Sequence, residues 1–537
     1  MKSLLLLIVA FGCAGLVAVQ AQQVEVSRFP ITSVNPAIET YPGGRGPDQL
    51  IIYTPACGRL RTGTNSWGAE AVVEREYVTE SDGNDRTIPG NGFVVSGHGT
   101  AARWVQSLDV GVRIVVREDT CIAVADTSSL GRYAGYLTAQ LRLRGADPAL
   151  VGSEADKYRG GRLTGISVWK TWTAAVRRVY DKAVAGLIPL RTDELRGVWH
   201  RPRERSKNEI DAVVRRLAAA NFNTIFLESF WGGKTIYPSS LADRRAEFNS
   251  FDVLAAYCEA GKRCGIQIHA WVHTFFLGYL SPDGTQFEQS RELSAHPEWT
   301  LVHRNGSRQS RTESGYIWAC PANPAVQHYV QGVYREILTQ YDVAGIQHDY
   351  IRFPASDSLS ESSCFCGYCI EHVRKDLGID LLTLEPSDAA GWGKWSRWKE
   401  ERVNAFVHRI RAEFPGRWIS AAVFPDLQQA RNTKMQNWAE WITRRDVSFL
   451  CPMAYTSSLE EVRSGLKEMR KFSSDFPLAP GLAPFLFLRV NQLLDQMAIT
   501  RQFRCQGVVF FDYTTMSDEF LEALKIGPFR KPSKPVF

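Results

Sequence analysis

A large charge of one sign is missing from this chain. Its 63 Lys and Arg against 57 Asp and Glu leave a net charge of +6 over 537 residues. No basic stripe or continuous basic helix concentrates that excess, so nucleic acid is not an expected partner. Beyond the N-terminus there is no apolar run long enough to span a bilayer. No G-x-S-x-G is present, which excludes the serine nucleophile elbow. No H-E-x-x-H is present, which excludes the helical zinc-protease motif. No glycine-rich phosphate loop follows the first strand of the C-terminal region, which argues against a doubly wound dinucleotide fold. No cofactor is expected.

What is present is an ordinary globular composition, 44% hydrophobic and 22% charged. That is enough to bury a sizeable core in two or three domains. Lys2 precedes the apolar run Leu4–Val9, and Val19-Gln20-Ala21 offers small residues to a signal peptidase. Residues 1–21 therefore read as a signal peptide. The mature chain is expected to be exported, to the periplasm, cell surface or outside. A lipid anchor at Cys13 is the minor alternative. Of the eleven cysteines ten lie beyond Ala21, and export permits disulfides among them. Cys364-Phe-Cys366-Gly-Tyr-Cys369, with His372 close by, has two readings. One is a disulfide-braced loop, which export favours; the other is a structural metal site in need of a fourth ligand.

Residues 22–190 are rich in Gly, Thr, Arg and Val, with short alternating runs such as Val110-Gly-Val-Arg-Ile-Val-Val116. Frequent turn residues make this a β-rich accessory domain, with a helix near 164–185. His98, between glycines, reads as a turn residue. From Leu195 the rhythm becomes strand, loop, helix, repeated. The expected strands are 196–200, 224–230, 266–273, 345–353, 418–424, 449–455, 478–483 and 507–513. Ser206-Lys-Asn-Glu209 is a capping-box pattern at the start of the first helix. Eight such units close into a parallel (β/α)8 barrel of the TIM type over 191–525, with 526–537 as a C-terminal tail. Two long connections, 275–341 and 354–394, follow strand C-terminal ends and should wall one cleft.

Barrels of this kind gather their chemistry at strand C-terminal ends. There the chain places Glu228, Asp349, Asp426 and Asp512, together with His200, Trp231, Trp271, Tyr350, Tyr455 and Tyr513. Strand alternation puts Gln267, His269, Trp271 and His273 on one face, turned into the barrel. Aromatic faces stack on sugar C–H surfaces, and paired carboxyls can cleave a glycosidic bond, one protonated and one ionised. Asp349 and Glu228 are the preferred catalytic pair, with Asp512 or Asp426 as substitutes for the second member. His200, Trp231, Trp271, His273, Arg352, Tyr455 and Asp512 are the expected sugar contacts. His269, His273 and Asp349 as a zinc site is a lesser alternative.

Over about residues 195–512 the chain resembles the glycosyl hydrolase-like 10 family of exported bacterial barrels. The resemblance rests on Arg196-Gly-Val-Trp199, Asn223-Thr-Ile, Trp318-Ala-Cys-Pro-Ala-Asn-Pro324, Gly345-Ile-Gln-His-Asp-Tyr-Ile-Arg-Phe-Pro354 and Cys451-Pro-Met-Ala-Tyr455. It implies hydrolysis of bacterial glycans, peptidoglycan strands among them, and its fourth-strand Asp falls on Asp349. Family members commonly carry His two positions earlier, where this chain has Gln347. Some carry a second Asp directly after, where it has Tyr350. The expected partner is an oligosaccharide or polysaccharide. The competing class is a non-catalytic carbohydrate-binding protein on the same scaffold.

Overall fold

The structure, a computed structural model, describes residues 23–534 except 37–47, 65–67, 82, 282–283, 286, 311, 314, 357–358, 473 and 488. The signal peptide and Cys13 lie outside the described residues. The chain divides into two compact units, 1–183 and 184–537, and the helix Ile166–Leu187 runs across the division.

The first unit is built on an eight-stranded, mostly antiparallel sheet. It carries more helix than its turn-rich sequence suggests. Thr100–Gln106, Ser129–Leu143 and Ala149–Asp156 are helical. Ser129–Leu143 buries Leu130, Tyr133, Ala134, Leu137 and Leu141 at helical spacing. His98 sits in the turn before the first of these helices.

The second unit is the barrel. Its strands are β1 (Leu195–His200), β2 (Thr224–Trp231), β3 (Gln267–His273), β4 (Gly345–Asp349), β5 (Trp418–Val423), β6 (Phe449–Pro452), β7 (Gly481–Leu482) and β8 (Gly507–Phe510). Neighbours pair in parallel from β6 through β5, β4, β3, β2, β1 and β8 to β7. Parallel bridges Leu450 to Leu478 and Met453 to Gly481 bring the two ends of that order together. The helices between strands start where the sequence signals a cap. Ser206 accepts from Glu209 N–H, and Asp252 and Asn323 do the same for their helices. Among the described residues no helix is long and apolar enough to cross a membrane.

The barrel interior is a packed layer of Leu195, Trp199, Phe226, Trp271, Phe449, Cys451, Ala479 and Val509. Trp199 fits there because position 481 is glycine, where a Cβ would come 2.8 Å from its ring. The tail expected after 525 closes the N-terminal ends of the strands. Phe529 is fully buried, Ser533 Oγ donates to Glu194 O at 2.9 Å, and Arg196 Nη1 donates to Lys531 O at 2.6 Å. Glu194 is buried there in a bidentate pair with Arg501 at 2.7 and 2.8 Å.

The connection after β3 is not one extended loop. It folds into a three-stranded antiparallel sheet of Phe276–Leu280, Phe287–Gln289 and Tyr316–Trp318, which sits against the end of β4 through Tyr316, Trp318 and Tyr350.

Candidate active site at the barrel mouth

Register fixes which side chains meet at the mouth. Glu228 on β2 pairs with Trp271 on β3, and His273 on β3 pairs with Asp349 on β4. The β2–β3 register shifts between Glu228 and Phe230, an irregularity of the kind that re-aims strand-end side chains. Trp271 thus stands between the two acids.

Asp349 is half-buried, and both of its oxygens are held. Trp271 Nε1–H donates to Oδ2 at 2.9 Å, and the Tyr350 backbone N–H donates to Oδ1 at 2.7 Å. Tyr350 makes that contact from a left-handed conformation, φ +50°, which costs a non-glycine residue on the order of 1 kcal/mol. Its ring packs on His273 at 4.7 Å, Phe276 at 5.6 Å and Trp318 at 5.6 Å. The packing keeps the strained residue, and with it the Asp349 carboxyl, in place.

Glu228 lies in a different environment. It is 3% exposed, with Arg201 Nε 3.0 Å from Oε1, His273 Nε2 3.3 Å from the same oxygen and Arg245 Nη1 3.5 Å from Oε2. Burial opposes its ionisation. His273, Arg201 and Arg245 outweigh that burial and hold the carboxyl below its ordinary range. Arg201 also lies over the rings of Trp271 and Phe511, at 5.4 and 5.2 Å.

The remaining expected contacts divide by depth. Trp231 and Tyr455 are half-buried at the rim. Trp231 packs on Phe276 and Tyr455 stacks on Phe511 at 5.1 Å. Asp512 is 7% exposed and accepts from Thr514 N–H at 3.1 Å. His200 is buried, with Nε2 2.7 Å from the Tyr257 hydroxyl and 3.2 Å from Glu204 Oε2. Trp271 is buried as well and acts on Asp349 rather than as an open stacking platform. Arg352, expected at the sugar, is 6% exposed and paired with Glu313 at 2.8 Å beneath the rings of Tyr350 and Trp318. It braces the rim from behind. Asp426 is exposed and caps the helix Leu427–Lys434 by accepting from Gln429 N–H at 2.7 Å, so helix geometry accounts for it.

The zinc alternative at His269, His273 and Asp349 does not assemble. His269 is buried between Phe226 and Phe449, and burial pushes it down to about 3, leaving a neutral core imidazole. Among the described residues the group able to hold a metal is instead Cys320, Cys364, Cys366 and Cys369. No disulfide is formed among the described residues. His372 turns away, its ring stacked on Tyr368, and Cys320 takes the fourth place. Arg201 follows His200 directly, so strand-end reasoning could have reached it. Arg245, Glu313 and Cys320 come from connections with no periodic signal.

Fold and mouth together define a (β/α)8 barrel with carboxylates, arginines and aromatic rings at the C-terminal ends of its strands. The sequence matches the family described as Glycosyl hydrolase-like 10 over residues 192–477, more than half of the chain, and the protein belongs to that family. It is 24% identical over 169 residues to the glycosyl hydrolase DigH of Escherichia coli K12, covering 29% of this chain and 38% of that one. The chain thus spans well under half the length of the curated relatives it matches. It is also similar to the catalytic domain of β-amylase from Paenibacillus polymyxa, with TM-score 0.46, 10% identity, 65% of this chain and 100% of that one. For α-L-fucosidase isoenzyme 2 from Paenibacillus thiaminolyticus the values are 0.41, 15%, 63% and 49%. The barrel stands on its own strand register.

Proposed function

We propose that this protein is an exported glycosidase that hydrolyses glycosidic bonds in a bacterial or environmental polysaccharide, peptidoglycan glycan strands being one substrate class. The reading is carried by Asp349, a partly open strand-end carboxyl with both oxygens oriented, inside an aromatic rim. Two donors aimed at its oxygens suit a carboxylate that accepts, as a nucleophile or base does. Glu228 is its charged partner. Held ionised by His273 and two arginines, it supplies negative charge near a developing oxocarbenium ion and aims Arg201 across the mouth. Trp231, Tyr455 and Tyr513 offer ring faces to the sugar, and Asp512 offers a carboxylate to its hydroxyls. Family membership and the relative named a glycosyl hydrolase support the same class.

One observation favours the second reading, a carbohydrate-binding protein without turnover. Glu228 is committed to cations, so it does not supply the protonated carboxyl that the leaving oxygen needs. Reducing-end release from purified glycan strands, measured beside binding by calorimetry, separates the two. Asp349→Asn is expected to lower release at least ~1,000-fold, the scale of losing an acid–base or nucleophilic carboxyl, while affinity stays within a few-fold. A fully active Asn variant removes Asp349 from the mechanism. Binding by the wild type with no release establishes the non-catalytic alternative.

A further inference from the structure

We propose that Cys320, Cys364, Cys366 and Cys369 form a closed tetrathiolate site for one zinc ion, which ties together the two long connections beside the mouth. All four sulfurs are buried and lie within 4.8 Å of one another. Cys320 Sγ and Cys369 Sγ are 3.5 Å apart. A tetrahedral zinc with Zn–S of about 2.3 Å sets its sulfurs about 3.8 Å apart, whereas a disulfide requires about 2.05 Å. Four mutually close sulfurs describe one tetrahedron better than two bonded pairs.

The surroundings are built for negative charge. Lys399 is 5% exposed, donates to Ser363 O at 2.7 Å, next to Cys364, and lies 4.2 Å over the Trp395 ring. A zinc with four thiolates carries a net charge of about −2, which a buried ammonium partly offsets. Cys366 stands at the N-cap position of the helix Gly367–Leu377, and Cys369 lies in its first turn, where free backbone amides favour thiolates.

The site is structural rather than catalytic, because four protein ligands leave no open position. Its placement gives it a job. Cys320 follows the strand Tyr316–Trp318, and the other three follow β4. The stretch 299–302 already bonds to both connections, with Cys320 N–H donating to Trp299 O at 2.8 Å and Phe365 N–H to Val302 O at 2.7 Å. The ion would lock the sheet that holds Tyr316 and Trp318 against Tyr350.

The test uses untagged full-length protein, so that no engineered histidines bind metal. Elemental analysis should find one zinc per chain, released when a mercurial reagent titrates the thiols. Cobalt substitution should give the sulfur-to-cobalt charge-transfer bands of a tetrahedral thiolate site. Cys366→Ser and Cys320→Ser should each lose most of the zinc, and Cys264→Ser, outside the cluster, should keep it. Metal-free wild type with two mapped disulfides among these cysteines would overturn the proposal, as would iron in place of zinc. The wild-type stoichiometry decides the matter even if the serine variants fail to fold.

Discussion

At the residue scale the mouth is an exercise in holding two acids differently. Asp349 is oriented by one indole and one backbone amide, and Glu228 is surrounded by cations. Trp271 links the two, since it pairs in register with Glu228 and donates to Asp349. Trp271→Phe keeps most of the packing and deletes the donor to Asp349. A hydrogen bond to a charged acceptor is worth roughly 1.5–3 kcal/mol. The variant should therefore lower kcat about 10- to 100-fold while leaving KM nearly unchanged, as steady-state kinetics on a soluble oligosaccharide would show. An unaltered kcat would mean that the indole does not position the reacting carboxyl. The strand-end placement of Asp349 was legible in the sequence, as was the inward face of Trp271 and His273, since alternation along a strand is strict. The arginines around Glu228 were not, because a charge arriving from a loop leaves no periodicity. Arg352 misled for the opposite reason. An arginine beside a strand-end acid looks like a ligand grip until Glu313, 39 positions away, turns out to hold it.

At the element scale, strand ends are pinned to neighbouring helices by buried polar triads. The end of β1 is one example. His200, Glu204 and the Tyr257 hydroxyl of the helix Val253–Cys264 share hydrogen bonds of 2.7–3.2 Å. Burial opposes ionisation of Glu204. The hydrogen bonds from His200, Tyr257 and the Arg203 N–H overcome it and hold the carboxyl at about 2, against an ordinary 4.5. The folded-state value is the lower one, so the stabilisation is fully present above about pH 4.5 and is lost as pH falls toward 2. Its size is roughly 3 kcal/mol. Thermal melts of wild type and Glu204→Gln between neutral pH and pH 3 should converge on acidification, the variant showing a flatter acid limb. Parallel curves would show that another group carries the acid sensitivity. The eight barrel strands and their order followed from apolar runs separated by capped helices. The small sheet at Phe276–Trp318 did not, because its strands are three to five residues long and carry too little alternation to register.

At the scale of the whole barrel, the two faces do different work. The N-terminal face is closed by the tail and the buried Glu194–Arg501 pair, which are groups of stability. The C-terminal face carries the oriented acids and the aromatic rim. A surface groove of about 840 Å³ also exists on the outer side of the helix Pro324–Gln340, lined by Trp299, His328, Tyr329 and Arg335. An aromatic-lined groove of that size could be mistaken for the sugar site on volume alone. Under the proposed function catalysis takes place at the mouth instead, where acids from separate strands stand at neighbouring strand ends beside aromatic rings. The decisive measurement is a crystal structure of Asp349→Asn with an uncleaved oligosaccharide. The account predicts a sugar chain across the mouth, packed on Trp231 or Tyr455, with a glycosidic linkage within ~3.5 Å of residue 349, the reach of a reacting group. An oligosaccharide seated in the outer groove, or held at the mouth with no linkage near residue 349, would contradict it.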